Sequence, residues 1–144
     1  MAVVLRCDLM PVDHPVAYDD LYYNAAHVYE HDGMPFSGVA EEQFDNGVIR
    51  CRLRFRDGQQ HGDTEEYYQS GARRSVTPYV NGAVHGRTTM WHANGGVHVE
   101  RECEFGILMC SREFSESGTL VSEYSRPSDD PMTEVVRQRR FGAT

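Results

Sequence analysis

From Val48 to Arg56 the chain reads VIRCRLRFR, and from Ile49 onward apolar and charged positions alternate without a break. Ile49, Cys51, Leu53 and Phe55 fall on one side of an extended strand, and Arg50, Arg52, Arg54 and Arg56 on the other. A period of two marks a strand with one packed face and one wet face. A helical period would scatter the four arginines around the circumference. Turn residues bound the runs. FDNG, YQSG, HANG and SESG form one set; HDG, RDG, VNG and EFG form a second. In both, Gly supplies the positive φ that a tight turn requires. The predicted unit is two antiparallel strands. The predicted fold is all-β, a meander of about eight or nine strands.

The turns keep a fixed period. Gly58, Gly82 and Gly106 are 24 apart, and Gly33 stands 25 earlier. Gly38, Gly62 and Gly86 are 24 apart, and the next slot holds Cys110. Gly47, Gly71 and Gly95 are 24 apart, with Gly118 following after 23. The stretch that begins at Phe55 realigns without a gap on the stretch that begins at Tyr79. About four units result, two close to ideal and two worn. Worn terminal units suit an array whose ends face water instead of a neighbour.

The middle units read Gly58-Gln-Gln-His61-Gly62 with Tyr67, Tyr68 and Gly71, then Gly82-Ala-Val-His85-Gly86 with Trp91, Asn94 and Gly95. This pattern resembles the variant MORN repeat, as found in bacterial antitoxins of the YwqK type. The resemblance covers about residues 29–124. It departs in the first unit, which has an extra residue, and in the fourth, which has Cys110 for the second Gly. It implies a curved antiparallel sheet used for binding, with no shared active site.

Outside that array the pattern changes. Residues 1–28 are read as an N-terminal cap over the first sheet edge, with a leading strand at residues 2–7, a loop between Pro11 and Pro15, and a strand at about His27 to Glu30. Residues 125–144 are read as a tail or short helix. Ser128 or Asp129 would cap it, Pro131 would open it, Met132 to Arg140 would form it and Gly142 would stop it. This helix would dock on the last strand as a cap or remain a tail.

Composition narrows the function. A net charge of −8 excludes a general nucleic-acid binder, whose affinity comes from neutralising phosphate. It suits a partner with a basic surface, such as a nuclease toxin, and equally suits plain solubility. Cys7, Cys51, Cys103 and Cys110 have neither zinc nor disulfide-framework spacing, so reduced thiols and a cytoplasmic location are expected. No run is long enough for a membrane span. No metal or cofactor is expected.

His61 and His85 recur at one repeat position, as do Gly58, Gly62, Gly71, Gly82, Gly86 and Gly95. A residue demanded once per repeat serves the fold before it serves catalysis. Shifting by 24 compares equivalent strands: Arg50, Arg52, Arg54 and Arg56 become Arg74, Val76, Pro78 and Val80, then His98, Glu100, Glu102 and Glu104. One face would grade from basic through apolar to acidic, while Glu41, Glu42, Glu65 and Glu66 come close enough to pair with the arginines. Pro78 in mid-strand implies a ladder gap, a bulge or an edge. The partner-binding candidates are Arg50, Arg52, Arg54, Arg56, Arg74, Trp91 and His98, and charge reversal of Arg52 with Arg54 is expected to spare folding while altering binding. Three functions compete. The first is a non-enzymatic binding protein of the antitoxin or immunity type. The second is a small cyclase- or isomerase-type enzyme, binding a small molecule in a curled sheet and using His92, Glu100 and Glu102. The third is a scaffold.

Overall fold

The computed structural model describes residues 14–142. The leading strand read at residues 2–7 lies outside them, as does Cys7. Among the described residues, fourteen strands and one α-helix follow in chain order: β1 (Val16–Ala17), β2 (Tyr22–Tyr23), β3 (Tyr29–His31), β4 (Met34–Pro35), β5 (Gly38–Gln43), β6 (Ile49–Arg56), β7 (Gln59–Gln60), β8 (Gly62–Tyr67), β9 (Arg73–Val80), β10 (Ala83–Val84), β11 (Gly86–Trp91), β12 (Val97–Glu104), β13 (Ile107–Phe114), β14 (Leu120–Ser125) and α1 (Pro131–Gly142). The main sheet runs β1-β5-β6-β8-β9-β11-β12-β13-β14, antiparallel throughout except that β1 pairs parallel with β5. β2, β3 and β4 form a small separate sheet.

Two kinds of turn alternate along the chain, each held by its own backbone bonds. Asp32-Gly33, Asp57-Gly58, Asn81-Gly82 and Phe105-Gly106 all have both residues at positive φ, between 47° and 83°. That is the type I′ geometry whose twist matches a hairpin. At the opposite ends of the strands lie longer turns: the Gly47 N–H donates to the Phe44 carbonyl, and the Phe44 N–H donates to the Val48 carbonyl. The same pair of bonds recurs at Tyr68 to Ala72, His92 to Gly96 and Ser115 to Thr119. It recurs once more at Asn24 to Val28, where His27 holds the positive φ of 61° in place of a glycine. The N-terminal segment therefore carries a turn of the repeat that its sequence does not announce. Its strand is Tyr29–His31, close to the expected position.

The I′ turns stack in a column. The N–H groups of Gly58, Gly82 and Gly106 donate to the carbonyls of Phe36, Gln60 and Val84 in the preceding unit, at 2.7, 2.8 and 2.8 Å. A ladder break does lie near Pro78, but the same break stands at Arg54 one unit earlier, where the His61 N–H donates to the Arg54 carbonyl and β6 pairs with β8 only at Cys51 and Arg52, so it belongs to the repeat and not to the proline. The His85 N–H donates to the Pro78 carbonyl, and β9 pairs with β11 only at Val76 and Ser75. Gly86 makes room there, because a Cβ on it would lie 3.1 Å from the proline ring.

Burial concentrates at the N-terminal end, where Phe36, Ala40 and Phe55 pack with Tyr18, Leu21, Tyr29 and Leu53. Tyr29 stacks tilted on Phe55 at 5.0 Å, and Phe36 does so at 5.6 Å. Elsewhere most strand side chains are half-buried, since among the described residues the small β2–β3–β4 sheet meets the main sheet only at this end, where Tyr29 packs on Phe55.

Helix α1 forms near the expected residues, with corrections of cap, stop and dock. Asp130, not Ser128 or Asp129, caps it: its carboxylate accepts the Met132 N–H at 2.8 Å. Gly142 is its last residue rather than a stop beyond it. It docks at the β12–β13 hairpin, not on β14. Val136 is fully buried, Arg140 pairs with Glu104, and the Arg139 guanidinium lies 5.8 Å over the Phe105 ring. Arg126, just after β14, makes this end close. Its Nε donates to the Leu108 carbonyl at 2.7 Å, the slot which in earlier units receives the next glycine. Its guanidinium also pairs with Asp130 at 2.9 Å. Side chain and helix stand where a fifth turn would be.

Candidate functional site

Every second residue of β6 projects to one face, and pairing decides what the arginines meet there. The register places Glu41, Arg52, Glu65, Val76, Thr89, Glu100, Arg112 and Glu123 in one row across the sheet. The face is therefore not graded from basic to acidic. Arg52, Val76 and Glu100 keep the expected order on alternate strands, but the interposed strands set Glu41 and Glu65 beside Arg52 and Arg112 beside Glu100, so each end of the row carries both signs around an uncharged centre. Arg52 pairs with Glu41 at 2.9 Å and Glu65 at 3.6 Å; Arg54 reaches Glu65 at 3.4 Å and donates to the Asp63 carbonyl at 2.7 Å. Arg56 donates to Asn81 in the next turn. Arg52 and Arg54 are thus ladder members. Reversing both would set like charges side by side and leave Glu65 without its cations, so this double change is expected to cost stability as well as to alter binding.

Glu65 is the centre of that ladder. Burial works to raise its pKa. The Tyr67 hydroxyl and the guanidiniums of Arg54 and Arg52 outweigh burial and hold it below the usual carboxylate range. The opposite face has its own pairs. The Cys51 thiol donates to Glu42, the Ser75 hydroxyl donates to Glu66 at 2.7 Å, and burial with the Glu42 charge pushes Cys51 up to about 11.

The His-Gly histidines act across units. The Asn81 N–H donates to His61 Nδ1 at 3.2 Å, and the Phe105 N–H donates to His85 Nδ1 at 3.1 Å. Ser37 does the same for Asp57 at 2.8 Å. Each acceptor holds the first, positive-φ residue of the following turn. Gly62 and Gly86 come next, at φ 97° and 117°, and bend the strand. Gly58 fits a slot in which a Cβ would lie 2.1 Å from Val28 Cγ1 and 2.8 Å from the Tyr29 carbonyl oxygen. Gly71 and Gly95 have open space around them and are needed for φ 88° and 89° alone.

The rim bearing the longer turns carries a device that spacing does not announce. Each hairpin has a bulge beside its turn: the register skips Arg50, Arg74, His98 and Val121. Three of these four extra residues lean toward the residue that opens the turn. The Arg50 guanidinium lies 5.9 Å over Phe44, Arg74 lies 5.9 Å over Tyr68, and His98 stacks on His92 at 4.2 Å. Arg50 and Arg74 are exposed, and among the described residues Arg74 has no carboxylate partner. His98 lies 3.5 Å from Glu113, and His92 Nε2 is 2.8 Å from the Phe114 carbonyl oxygen. Trp91 is half-buried, and its carbonyl accepts the Tyr68 hydroxyl. Of the seven partner candidates, the structure brings Arg50, Arg74 and His98 onto one rim, with Trp91 beside it.

The catalytic alternative needs His92, Glu100 and Glu102 in one cavity. Glu100 and Glu102 do share a shallow depression of about 170 Å³ with Arg87, Arg112 and Glu123, but His92 is not on its wall. Glu102 is tied to Arg87 at 2.6 Å. The structure does not converge the three groups. Among the described residues no helix is long and apolar enough to cross a membrane.

No protein-family model matches the chain. Immunity protein YwqK of Bacillus subtilis (strain 168) is 30% identical over 131 residues, a match that covers 87% of this chain and 85% of the relative. Among solved structures the chain is similar to TarM, with TM-score 0.40 and 13% identity, covering 62% of this chain and 18% of that one. It is also similar to the GtfA/B complex bound to UDP and GlcNAc, with TM-score 0.29 and 14% identity, covering 79% of this chain and 23% of that one. The chain spans about a fifth of the length of those chains, and likenesses at this level have no bearing on what it does.

Proposed function

Because this chain belongs to the family of immunity protein YwqK, we propose that it is a non-enzymatic binding protein that neutralises a toxic partner by occupying it. Kinship over most of both chains carries this reading. The geometry supports it: an open sheet offers long rims and edges, while its polar depression does not gather the candidate catalytic groups. The repeat is of the variant MORN type in this reading, and binding takes place in the cytoplasm, where thiols such as Cys51, Cys103 and Cys110 stay reduced. The exposed guanidiniums of Arg50 and Arg74 supply cations already braced on rings, with His98 on the same rim. Such pre-ordered groups lose little entropy on docking and fix orientation.

The test is a survival selection. A fragment library of the source genome is expressed in a host with and without this chain. Clones that grow only with it carry the partner, which is purified and titrated against the protein. A one-to-one complex weakened by Arg50→Glu with Arg74→Glu is expected. Failure of the chain to rescue any clone overturns the proposal. A partner that is chemically altered and released, with one molecule of this chain acting on many, would favour an enzyme instead.

A further inference from the structure

We propose that strand β14 is the docking edge of this protein, completed by an extended basic segment of the partner that adds to the sheet antiparallel to it. The inference rests on the immunity reading and names where and how the partner is held.

The two ends of the main sheet differ. At one end β1 pairs with Ala40 and Glu41 of β5 and covers part of that edge. At the other, β14 pairs with β13 alone among the described residues. Helix α1, which follows β14 in the chain, turns away and seats on the β12–β13 hairpin. It closes the column of I′ turns and leaves the strand beside it open. All six residues of β14 are exposed, including Leu120, Val121 and Tyr124. The backbone shows which groups are free. The Arg126 N–H donates to the Met109 carbonyl, so Arg126, Tyr124 and Ser122 have the parity that bonds to β13. The N–H and C=O of Glu123 and Ser125 then point outward. Proteins guard such an edge with lysine, proline or a covering element. β14 has no Lys or Pro, only the bulge at Val121 near its start.

Charge selects the occupant. From Arg112 to Asp130, five carboxylates (Glu113, Glu116, Glu123, Asp129, Asp130) stand against two guanidiniums (Arg112, Arg126). A second copy of this chain is disfavoured. In the antiparallel register that pairs the outward positions of two copies with each other, Glu123 would face Ser125 of the other copy and two segments of the same net negative charge would lie side by side, which works against the pair. A partner segment with Lys or Arg opposite Glu123 meets the same edge favourably. Alternate apolar side chains would cover Leu120, Val121 and Tyr124. The edge is continuous with the rim already described, because Val121 is the bulge residue that follows Arg50, Arg74 and His98 in the series.

The experiment uses the full chain and the partner recovered by survival selection. Hydrogen–deuterium exchange of residues 120–126 is followed with and without partner. Two additional protected amides, at Glu123 and Ser125, are expected. Glu123→Pro removes an outward N–H and leaves the inward ladder intact, so it should weaken binding at least tenfold while melting stays unchanged. Glu123→Gln should weaken it only a few-fold and flatten its salt dependence. If Glu123→Pro unfolds the protein, Ser125→Pro makes the same test. Unchanged exchange in residues 120–126 with a partner still bound overturns the edge and leaves the immunity reading standing. A reversible dimer of the free chain that protects the same amides also overturns the proposed occupant. If no partner is recovered at all, the immunity reading fails and this one with it.

Discussion

Replacing Arg126 by alanine removes the one side chain that stands in for a missing repeat. Its Nε serves the Leu108 carbonyl, and its guanidinium holds Asp130, which caps α1. The backbone bond from Arg126 N–H to Met109 survives the change, so β14 remains paired. A charged donor to a carbonyl contributes about 1.5–3 kcal/mol. The Arg126 side chain is 16% exposed, so solvent recovers only part of the loss, and a cost of about 2 kcal/mol is expected. For a chain of this size 1 kcal/mol corresponds to roughly 3 °C, which puts the fall in melting temperature near 6 °C. The cost is also local: α1 should lose amide protection before the strands do, because each unit leans only on its neighbours. Melting by circular dichroism, together with hydrogen–deuterium exchange of residues 131–142, reads both effects. Arg137→Ala is the control, since its pair with Glu134 is exposed and worth a few tenths of a kcal/mol. If Arg126→Ala melts like Arg137→Ala and α1 exchanges as before, the end of the array is not closed by this residue.

Other perturbations separate the remaining roles. Gly58→Ala should cost about 2 kcal/mol more than Gly106→Ala, because both sit at φ near 78° but only the first meets Val28 and the Tyr29 carbonyl; equal melting losses would refute the close approach. The Cys51 thiol, raised to about 11 by burial and Glu42, should resist alkylation in the folded protein at mild alkaline pH and react once denatured; rapid labelling of the folded state refutes this. Glu65 has a folded pKa held below its unfolded value, so its contribution is present above about pH 4 and is lost as pH falls through the lower folded value. Glu65→Gln should therefore flatten the acid limb of stability, and an unchanged limb would refute the ladder.

What the sequence made legible was whatever repeats at fixed spacing and is settled by local geometry. The glycines at 58, 82 and 106 marked the turns, and alternation from Ile49 to Arg56 marked the strand and the face that Glu41 and Glu65 would meet. Features set by a neighbour in space were hidden. The N-terminal turn at Asn24 to Val28 went unseen because His27 replaces glycine and the strand after it is short. His92 and His98 came together because a bulge rotates His98 toward the turn, and a bulge leaves no mark in residue type. His61 and His85 showed their recurrence but not their task, since the N–H they accept belongs to the following unit. The helix was visible as a helix. Its seat was not, because the neighbouring slot at Leu108, which Arg126 fills, is defined only by counting where the next glycine would have bonded.

The stacking of the I′ turns has a consequence for size. Successive units join through the same glycine-to-carbonyl bond, and in the middle units through the same histidine acceptor. Nothing in the middle of the sheet registers how many units there are. Duplicating residues 62–85 would add two strands and about 10 Å of length while both termini kept their seats. The sheet is built like a ruler with a fixed graduation, and its span can be changed by whole steps without redesigning either end.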